Sequence, residues 1–271
     1  MKKKAKLICF MIILMISMRH TTIAQTDSTG YFTSFDGVKI YYEIKGKGKP
    51  ILLLHGFTGK GADWKKRPVY DSLLANNYQI ITADTRGGGK SDKPHTPEAY
   101  THDAEPKDMM GLMKYLGFKQ YEAMGYSRGS IILARMLVKD KHLKKAVIGG
   151  MGDMFTNPNW ARRIGIYEAL INDKPTEYDG LRQAVMKNPA AYDRVALAYQ
   201  QYGQPSTSHE ELHKLKQKIM IICGKDDMDN GKGADLQKLI PTSIFTEVSG
   251  NHNNTWGSVD YAKEVLIFLK N

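Results

Sequence analysis

The sequence contains little cysteine: Cys9 and Cys223 are the two cysteines among 271 residues. Cys9 lies in an apolar N-terminal stretch that we expect to be removed, which leaves Cys223 as the single cysteine of the mature chain. One cysteine cannot form an intramolecular disulfide or build a cysteine-based metal site. The mature chain is therefore predicted to fold without disulfides and without a metal site of this kind.

The sequence also lacks arginine-rich blocks and basic patches interleaved with aromatic residues, although its formal net charge is +11. Its lysines are spread along the chain, so the charge pattern gives little support to nucleic-acid binding. Part of the charge belongs to residues 1–24, which hold five basic residues and no acidic one, so the remainder carries +6. We expect a mildly basic protein with no nucleic-acid partner.

The apolar run over residues 7–18 is too short to span a bilayer, which requires about 20 residues. Lys2, Lys3, Lys4 and Lys6 precede it, and Thr22-Ile23-Ala24 follows it. A basic segment, an apolar segment and small residues before a cut are typical of a secretory signal peptide. We predict cleavage after Ala24, a secreted or periplasmic mature chain, and membrane contact only through the signal segment. The alternative is an uncleaved membrane anchor.

The rest of the chain, 25–271, is predicted to form one α/β domain, because short apolar, β-branched runs alternate with longer helical patterns. The Asp36-Gly37 pair indicates a hairpin between the first two strands. The later strands are nearly continuously apolar, as expected for parallel strands buried on both faces. Strands are predicted at 31–34, 38–44, 51–55, 80–84, 121–126, 146–149, 219–224 and 243–248. Helices are predicted at 64–76, 102–116, 130–139, 234–239 and 259–269.

Residues 151–213 contain helical patterns and no convincing strand, which indicates a helical cap inserted into the domain.

The sharpest chemical signal is Gly125-Tyr126-Ser127-Arg128-Gly129, between a strand and a helix. A serine on a tight strand-to-helix turn has a strained backbone, and its neighbours two positions away must be glycines to avoid clashes. The turn presents the Ser127 hydroxyl as a nucleophile. The backbone amide of Arg128, at the start of the helix, can then stabilise an oxyanion.

A second signal is His55-Gly56-Phe57 at the end of a predicted strand. Gly56 permits a sharp turn that exposes the amide of Phe57, which would be the second oxyanion donor. An ordinary strand-ending turn is the alternative. His55 is expected to hold the loop by hydrogen bonds, because the base in this architecture follows the nucleophile in the chain.

Together with the stretch Asp84 to Asp92, these motifs resemble the α/β-hydrolase superfamily in order and spacing. The resemblance covers nearly all of the mature chain outside the cap. It implies a mostly parallel eight-stranded sheet flanked by helices, with a helical cap. It also implies that the Asp84 to Asp92 stretch is a structural turn beside the site, in which Arg86 is a buried or half-buried clamp.

The resemblance further implies an aspartate after the strand that follows the cap, and a histidine in the last loop before the C-terminal helix. His252 follows Gly250-Asn251 and is the predicted general base. Asp226 and Asp227 compete for the acid position, and the family spacing selects Asp227. Asp226 is then a turn residue that bonds the local backbone. The reversed assignment stays open, because sequence does not fix loop geometry.

Arg128 departs from the family pattern, in which the residue after the serine is often small or apolar. Its side chain either reaches surface carboxylates or lies beside the pocket and favours an anionic substrate. We favour the surface, because arginine is rarely buried unpaired.

These residues predict acyl transfer through Ser127, His252 and Asp227, with the amides of Phe57 and Arg128 as the oxyanion hole. No metal or organic cofactor is required. The expected substrate is a small-molecule ester or a related carbonyl compound, and carboxylic-ester hydrolysis is the predicted reaction. The alternatives are carbon-carbon bond hydrolysis on the same triad, and a non-catalytic ligand-binding or signalling protein of this fold.

Overall fold

The computed structural model describes residues 27–172 and 176–271, so the predicted signal peptide lies outside the described residues. The strands of this part are β1 (Ser28–Thr33), β2 (Lys39–Lys45), β3 (Lys49–Leu54), β4 (Tyr78–Ala83), β5 (Tyr121–Tyr126), β6 (Leu143–Gly149), β7 (Lys218–Gly224) and β8 (Ser243–Val248). Its α-helices are α1 (Pro68–Ala75), α2 (Ala104–Tyr115), α3 (Arg128–Lys139), α4 (Ala161–Ile171), α5 (Asp179–Met186), α6 (Arg194–Tyr202), α7 (His209–His213), α8 (Gly233–Leu239) and α9 (Val259–Lys270). Short 3-10 helices occupy Gly61–Lys66, Pro97–Tyr100, Met154–Thr156 and Thr255–Gly257. None of the helices in this part has the length and apolar character needed to cross a bilayer.

The strands form one eight-stranded sheet in the order β1-β2-β4-β3-β5-β6-β7-β8. The pairs β1 with β2 and β2 with β4 are antiparallel, and all other neighbours are parallel. The predicted hairpin is present: Gly37 has φ +88°, and the Ser34 amide donates to the Val38 carbonyl at 2.8 Å. The predicted mostly parallel sheet is confirmed.

The central strands are buried on both faces, which explains their continuous apolar sequence. In β3, Leu52 and Leu54 belong to the apolar cluster on one face of the sheet, which includes residues of α2, α3 and α8, and Ile51 and Leu53 belong to the cluster on the other face, which includes residues of α1 and α9. Successive side chains of a strand point to opposite faces, so one run of four apolar residues serves both cores. Helices therefore cover both faces of the sheet and leave the carboxyl ends of its parallel strands at one edge.

The helix predicted over 64–76 is interrupted in the structure, and this prediction was wrong in its extent. A 3-10 helix ends at Lys66, Arg67 is extended with φ −111° and ψ 135°, and α1 begins at Pro68. The cause is Pro68, whose ring disfavours helical angles in the preceding residue. The break gives Arg67 a backbone direction different from that of either helix.

The segment 151–213, with residues 173–175 outside the description, contains a 3-10 helix and α4 to α7 and no strand among its described residues. Helices α4, α5 and α6 enclose a small apolar core of their own, against which Phe57 packs. The Gln200 side chain of α6 donates to the Arg86 carbonyl at 2.6 Å. These contacts place the helical segment over the carboxyl edge of the sheet.

Candidate active site

Ser127 stands between β5 and α3 with φ 53° and ψ −123°, a strained backbone conformation for a residue other than glycine. A Cβ atom at Gly125 would lie 2.5 Å from the Gly129 carbonyl oxygen. A Cβ atom at Gly129 would lie 2.3 Å from the Leu54 carbonyl oxygen. Neither position leaves room for a side chain, because neighbouring backbone atoms approach too closely. The turn places the Ser127 hydroxyl beyond the end of β5.

A continuous hydrogen-bond chain joins Ser127, His252 and Asp227. The Ser127 Oγ and His252 Nε2 atoms are 2.9 Å apart, and His252 Nδ1 is 2.9 Å from Asp227 Oδ2 and 3.1 Å from Oδ1. With the Nδ1 proton donated to the carboxylate, Nε2 is free to accept the serine proton. The three side chains follow β5, β8 and β7, so the carboxyl ends of parallel strands bring them together.

The structure separates the two adjacent aspartates. Asp227 is buried, with 6% of its surface exposed, and contacts His252. Asp226 is exposed, and its backbone amide donates to the Gly250 carbonyl at 3.0 Å. Asp227 is thus the carboxylate that contacts the imidazole, which is the assignment that the family resemblance implies.

The amides of Phe57 and Arg128 flank the serine. A Cβ atom at Gly56 would lie 3.3 Å from Ser127 Cβ, so the Gly56-Phe57 turn passes directly beside the nucleophile. Within residues 27–172 and 176–271, neither the Phe57 amide nor the Arg128 amide donates to a protein acceptor. Two unpaired N–H groups beside a serine hydroxyl can bind a developing oxyanion.

Comparison with known proteins identifies the family. Residues 49–191 match the alpha/beta hydrolase fold family. The chain belongs to this family. A putative non-heme chloroperoxidase of Synechocystis sp. is 31% identical over 171 residues, 59% of this chain and 58% of its own length. A non-heme haloperoxidase of Rhodococcus erythropolis is 25% identical over 166 residues, 60% of this chain and 56% of its own length. The chain thus spans less than three fifths of either relative.

Solved structures show the same alpha/beta hydrolase fold at low sequence identity. A bromoperoxidase from Bacillus anthracis has a TM-score of 0.74 and 22% identity, and covers 90% of this chain and 100% of its own. The esterase EaEST from Exiguobacterium antarcticum has a TM-score of 0.74 and 19% identity, with the same coverage. The family and these neighbours support a hydrolase fold for the chain without selecting a substrate.

Arg128 of this alpha/beta hydrolase is not a surface residue, so the surface position favoured from the sequence was wrong. Its side chain is 5% exposed, and the guanidinium donates to both carboxylate oxygens of Glu105, at 2.6 and 2.5 Å. Glu105 neutralises the buried charge, which removes the objection that arginine is rarely buried unpaired. The side chain therefore points away from the serine, while its backbone amide stays beside it.

His55 and Arg86 hold the loops around the site. The His55 Nδ1 group donates to the Gly56 carbonyl at 2.8 Å, and Nε2 accepts from the Thr85 amide at 3.2 Å. Burial lowers the pKa of His55, which keeps the imidazole neutral in this role. Arg86 is fully buried and pairs with Asp108 and Asp36, as the predicted clamp requires.

Two residues behind the imidazole escaped the sequence analysis. The Tyr126 hydroxyl donates to the His252 carbonyl at 2.7 Å, and burial raises the pKa of Tyr126, so the phenol stays a neutral donor. Asn230 is buried, donates to the Gly150 carbonyl at 3.2 Å and places its amide nitrogen 3.4 Å from His252 Nδ1. Tyr126 stands inside the serine motif, where its side chain is unconstrained by the motif pattern. Asn230 carries no local signal that separates it from an ordinary loop residue.

A cavity of about 550 Å³ opens above Ser127 and His252. Apolar side chains of the Gly56-Phe57 turn, of α3 and of the cap form one wall of this cavity: Phe57, Ile131, Met151, Trp160, Ile166 and Leu181. Its polar wall includes Asp63, Arg67, Arg162 and Arg163. This volume suits a small organic ligand, with the serine hydroxyl and the two amides at its base.

Proposed function

We propose that the protein hydrolyses carboxylic esters through an acyl-enzyme formed on Ser127. The observation that carries the proposal is the unbroken chain from the Asp227 carboxylate through His252 to the Ser127 hydroxyl, with both links at 2.9 Å. A serine is a weak nucleophile until a base accepts its proton, and a base needs a fixed tautomer to do so. This arrangement supplies both requirements beside two unpaired amides.

In the proposed reaction, His252 Nε2 accepts the hydroxyl proton while Ser127 Oγ bonds to the ester carbonyl carbon. The carbonyl oxygen takes up negative charge and accepts hydrogen bonds from the Phe57 and Arg128 amides. The imidazolium then gives its proton to the leaving alcohol, and the acyl group stays on Ser127. Water repeats the sequence, with His252 as base, and releases the acid.

A second candidate reaction follows from two of the relatives, which are named a putative non-heme chloroperoxidase and a non-heme haloperoxidase. If hydrogen peroxide replaces water in the second half-reaction, the acyl-enzyme yields a peracid and the free serine. Such a peracid can oxidise halide without a metal. The same residues would serve both reactions, so peroxide concentration alone separates them in an assay.

A dehalogenase reaction is disfavoured, although a fluoroacetate dehalogenase of Burkholderia sp. is 36% identical over 116 residues. Dehalogenases of this superfamily use an aspartate as the nucleophile, and this chain has Ser127 at the elbow. If the Ser127 hydroxyl displaced a halide from carbon, the product would be a serine ether and a halide ion, and water does not cleave an alkyl ether under mild conditions.

The test is a panel of p-nitrophenyl esters of increasing acyl length, with and without hydrogen peroxide, assayed on wild type and Ser127→Ala. We expect wild-type turnover and a loss of about a thousandfold or more in the variant. A fluorophosphonate should label wild type at Ser127 and leave the variant unlabelled. Labelling without turnover of any ester would support the ligand-binding alternative, and equal rates in both proteins would exclude Ser127 as nucleophile.

We also propose that residues 1–24 direct export and are then removed. The support is the sequence pattern of four lysines, a short apolar run and small residues before Gln25. Activity would then reside in the exported chain.

A further inference from the structure

The cavity over Ser127 is lined by an excess of positive charge. Arg67, Arg162 and Arg163 line it, and Asp63 is the carboxylate of the described residues that does so. Asp63 already has partners, since it accepts from the Lys60 amide at 3.0 Å and lies 3.6 Å from Lys66 Nζ. Within the described part of the chain, none of the three arginines forms an ion pair.

The two buried arginines of the described residues are neutralised, whereas the three cavity arginines are half-buried and have no carboxylate partner there. Arg86 pairs with Asp108 and Asp36, and Arg128 pairs with Glu105. A half-buried guanidinium without a carboxylate keeps a charge that an anionic ligand in the cavity can pair with. Among the described residues, the protein therefore pairs its buried arginines with carboxylates and leaves the cavity arginines available to a ligand.

Arg67 is held on the His252 side of the cavity by aromatic stacking. Its guanidinium carbon lies 3.8 Å from the Trp256 ring centroid, and Trp256 stacks on Tyr126 at 4.9 Å and 12°. The Tyr126 hydroxyl in turn holds the His252 backbone. The Arg67 Nε atom is buried and has no hydrogen-bond partner among the described residues. The cation is thus fixed in place by an interaction that leaves its charge available.

Arg163 is held on the cap side by carbonyl groups. Its Nη1 donates to the Gln201 and Tyr202 carbonyls at 3.1 and 3.0 Å, and its Nη2 donates to the Pro158 carbonyl at 2.6 Å. Carbonyl dipoles orient a guanidinium but do not neutralise it. Burial lowers the pKa of Arg163, which remains a cation at neutral pH because an arginine starts above 12. Its buried Nε also lacks a partner within the described residues.

We propose that this cavity selects esters that carry a carboxylate, whose charge is bound by Arg67, Arg162 and Arg163. The inference rests on the proposed ester hydrolysis and adds the substrate class. The carboxylate lies on the acyl or alcohol portion of the substrate, away from the carbonyl that Ser127 attacks. Guanidinium groups suit this task because their planar N–H pairs match the two oxygens of a carboxylate.

The test compares two esters that differ at one end: the p-nitrophenyl ester of hexanoic acid and the mono-p-nitrophenyl ester of adipic acid. Their acyl chains are equal in length, and a terminal methyl in the first is a carboxylate in the second. We expect kcat/KM of wild type to be higher for the adipate ester by about tenfold or more, mainly through a lower KM, because hydrogen bonds to charged groups are strong. This ratio should fall as salt is added. A ratio of one or less would overturn the inference while ester hydrolysis itself stands.

Arg67→Gln and Arg163→Gln should each lower the adipate-to-hexanoate ratio, and Arg163→Lys should retain more of it than Arg163→Gln. Lys214→Gln, at an exposed lysine of α7, is the control and should leave the ratio unchanged. A ratio that survives in folded Arg67→Gln and Arg163→Gln proteins would contradict the assignment of these arginines.

If neither ester is hydrolysed, the proposed function fails and binding decides the inference alone. Calorimetry on Ser127→Ala protein would then compare adipic acid monoamide with hexanamide. Tighter binding of the monoamide supports the cationic site, and equal or weaker binding overturns it.

Discussion

Arg128 and Glu105 form a buried ion pair, with two parallel hydrogen bonds, behind the turn that carries Ser127. The same guanidinium donates to the Gln200 carbonyl at 2.6 Å. Glu105 belongs to α2, Arg128 begins α3 and Gln200 lies in α6 of the cap. The Arg128 side chain thus links α3 to α2 and to the cap helix α6, while the Arg128 backbone amide lies beside the Ser127 hydroxyl.

Glu105→Gln should destabilise the protein strongly. The amide keeps the shape of the side chain but leaves the Arg128 charge buried without compensation, and breaking a buried pair in this way costs about 3–5 kcal/mol. Urea unfolding of wild type and variant measures the difference. Glu210→Gln is the matched control, because Glu210 pairs with Lys214 at the surface, and its unfolding curve should coincide with that of wild type. A Glu105→Gln midpoint equal to that of wild type would show that the pair contributes nothing to the fold.

The ion pair also marks the limit of what the sequence predicts. The positions of the strands along the chain and the serine turn follow from local patterns: apolar runs, the glycines around Ser127 and the order of the motifs. The Arg128 orientation depends on Glu105, which lies 23 residues earlier on another helix, and their meeting is set by how α2 packs on α3. Asn230 is hidden from sequence for the same reason. The break before Pro68 was local, and the rule for residues preceding proline would have found it.

Gly129→Ala should disrupt the serine turn. The added Cβ would lie 2.3 Å from the Leu54 carbonyl oxygen, so α3 or β3 must shift, and we expect a loss of about 1–3 kcal/mol together with most ester turnover. Gly180→Ala in α5 is the control, since a Cβ there meets nothing within 4 Å. It should change stability by less than about 0.5 kcal/mol. Comparable activity in the two variants would mean that the turn tolerates a methyl group.

Cys223 should be inert toward thiol reagents in the native protein. It is buried, and burial raises its pKa to about 12, so at pH 8 almost no thiolate is present. In a chain that begins at Gln25, Ellman's reagent should detect no thiol at pH 8 and one thiol after denaturation. The raised pKa also makes stability depend on pH. The thiol of the unfolded chain ionises from about pH 9, whereas the thiol of the folded chain stays neutral up to about pH 12. The contribution of Cys223 to the free energy of unfolding therefore declines between about pH 9 and 12. Rapid native labelling at pH 8 would contradict the buried position.

Material exported by a host cell should begin at Gln25. The prediction follows from the signal-like pattern of residues 1–24 and is measured by N-terminal sequencing or intact mass. A Thr22→Arg, Ala24→Arg double variant is the comparison, because bulky charged residues at the cut should block cleavage. Exported wild-type protein that retains residues 7–18 would indicate an anchor.

Asp227→Asn should cripple ester turnover, whereas Asp226→Asn should be mild. Asp227 accepts the His252 Nδ1 proton at 2.9 Å, which fixes the tautomer and stabilises the imidazolium that forms during attack. An asparagine there can present its N–H₂ group to Nδ1, which favours the tautomer whose Nε2 cannot accept the serine proton. The expected loss in kcat is about ten-thousandfold, as for the equivalent change in a serine-protease triad.

Asp226→Asn removes the same charge one residue earlier, which makes it a close control. Asp226 is exposed, and its bond to the Gly250 carbonyl is made by the backbone amide, which the substitution leaves in place. Only a solvent-screened field at His252 changes, so kcat should stay within a few-fold of wild type. Both rate constants should be measured with saturating ester at pH 8. A dead Asp226→Asn beside an active Asp227→Asn would exchange the two roles, and it would require the loop after β7 to rearrange in solution so that the exposed carboxylate turns inward to the imidazole.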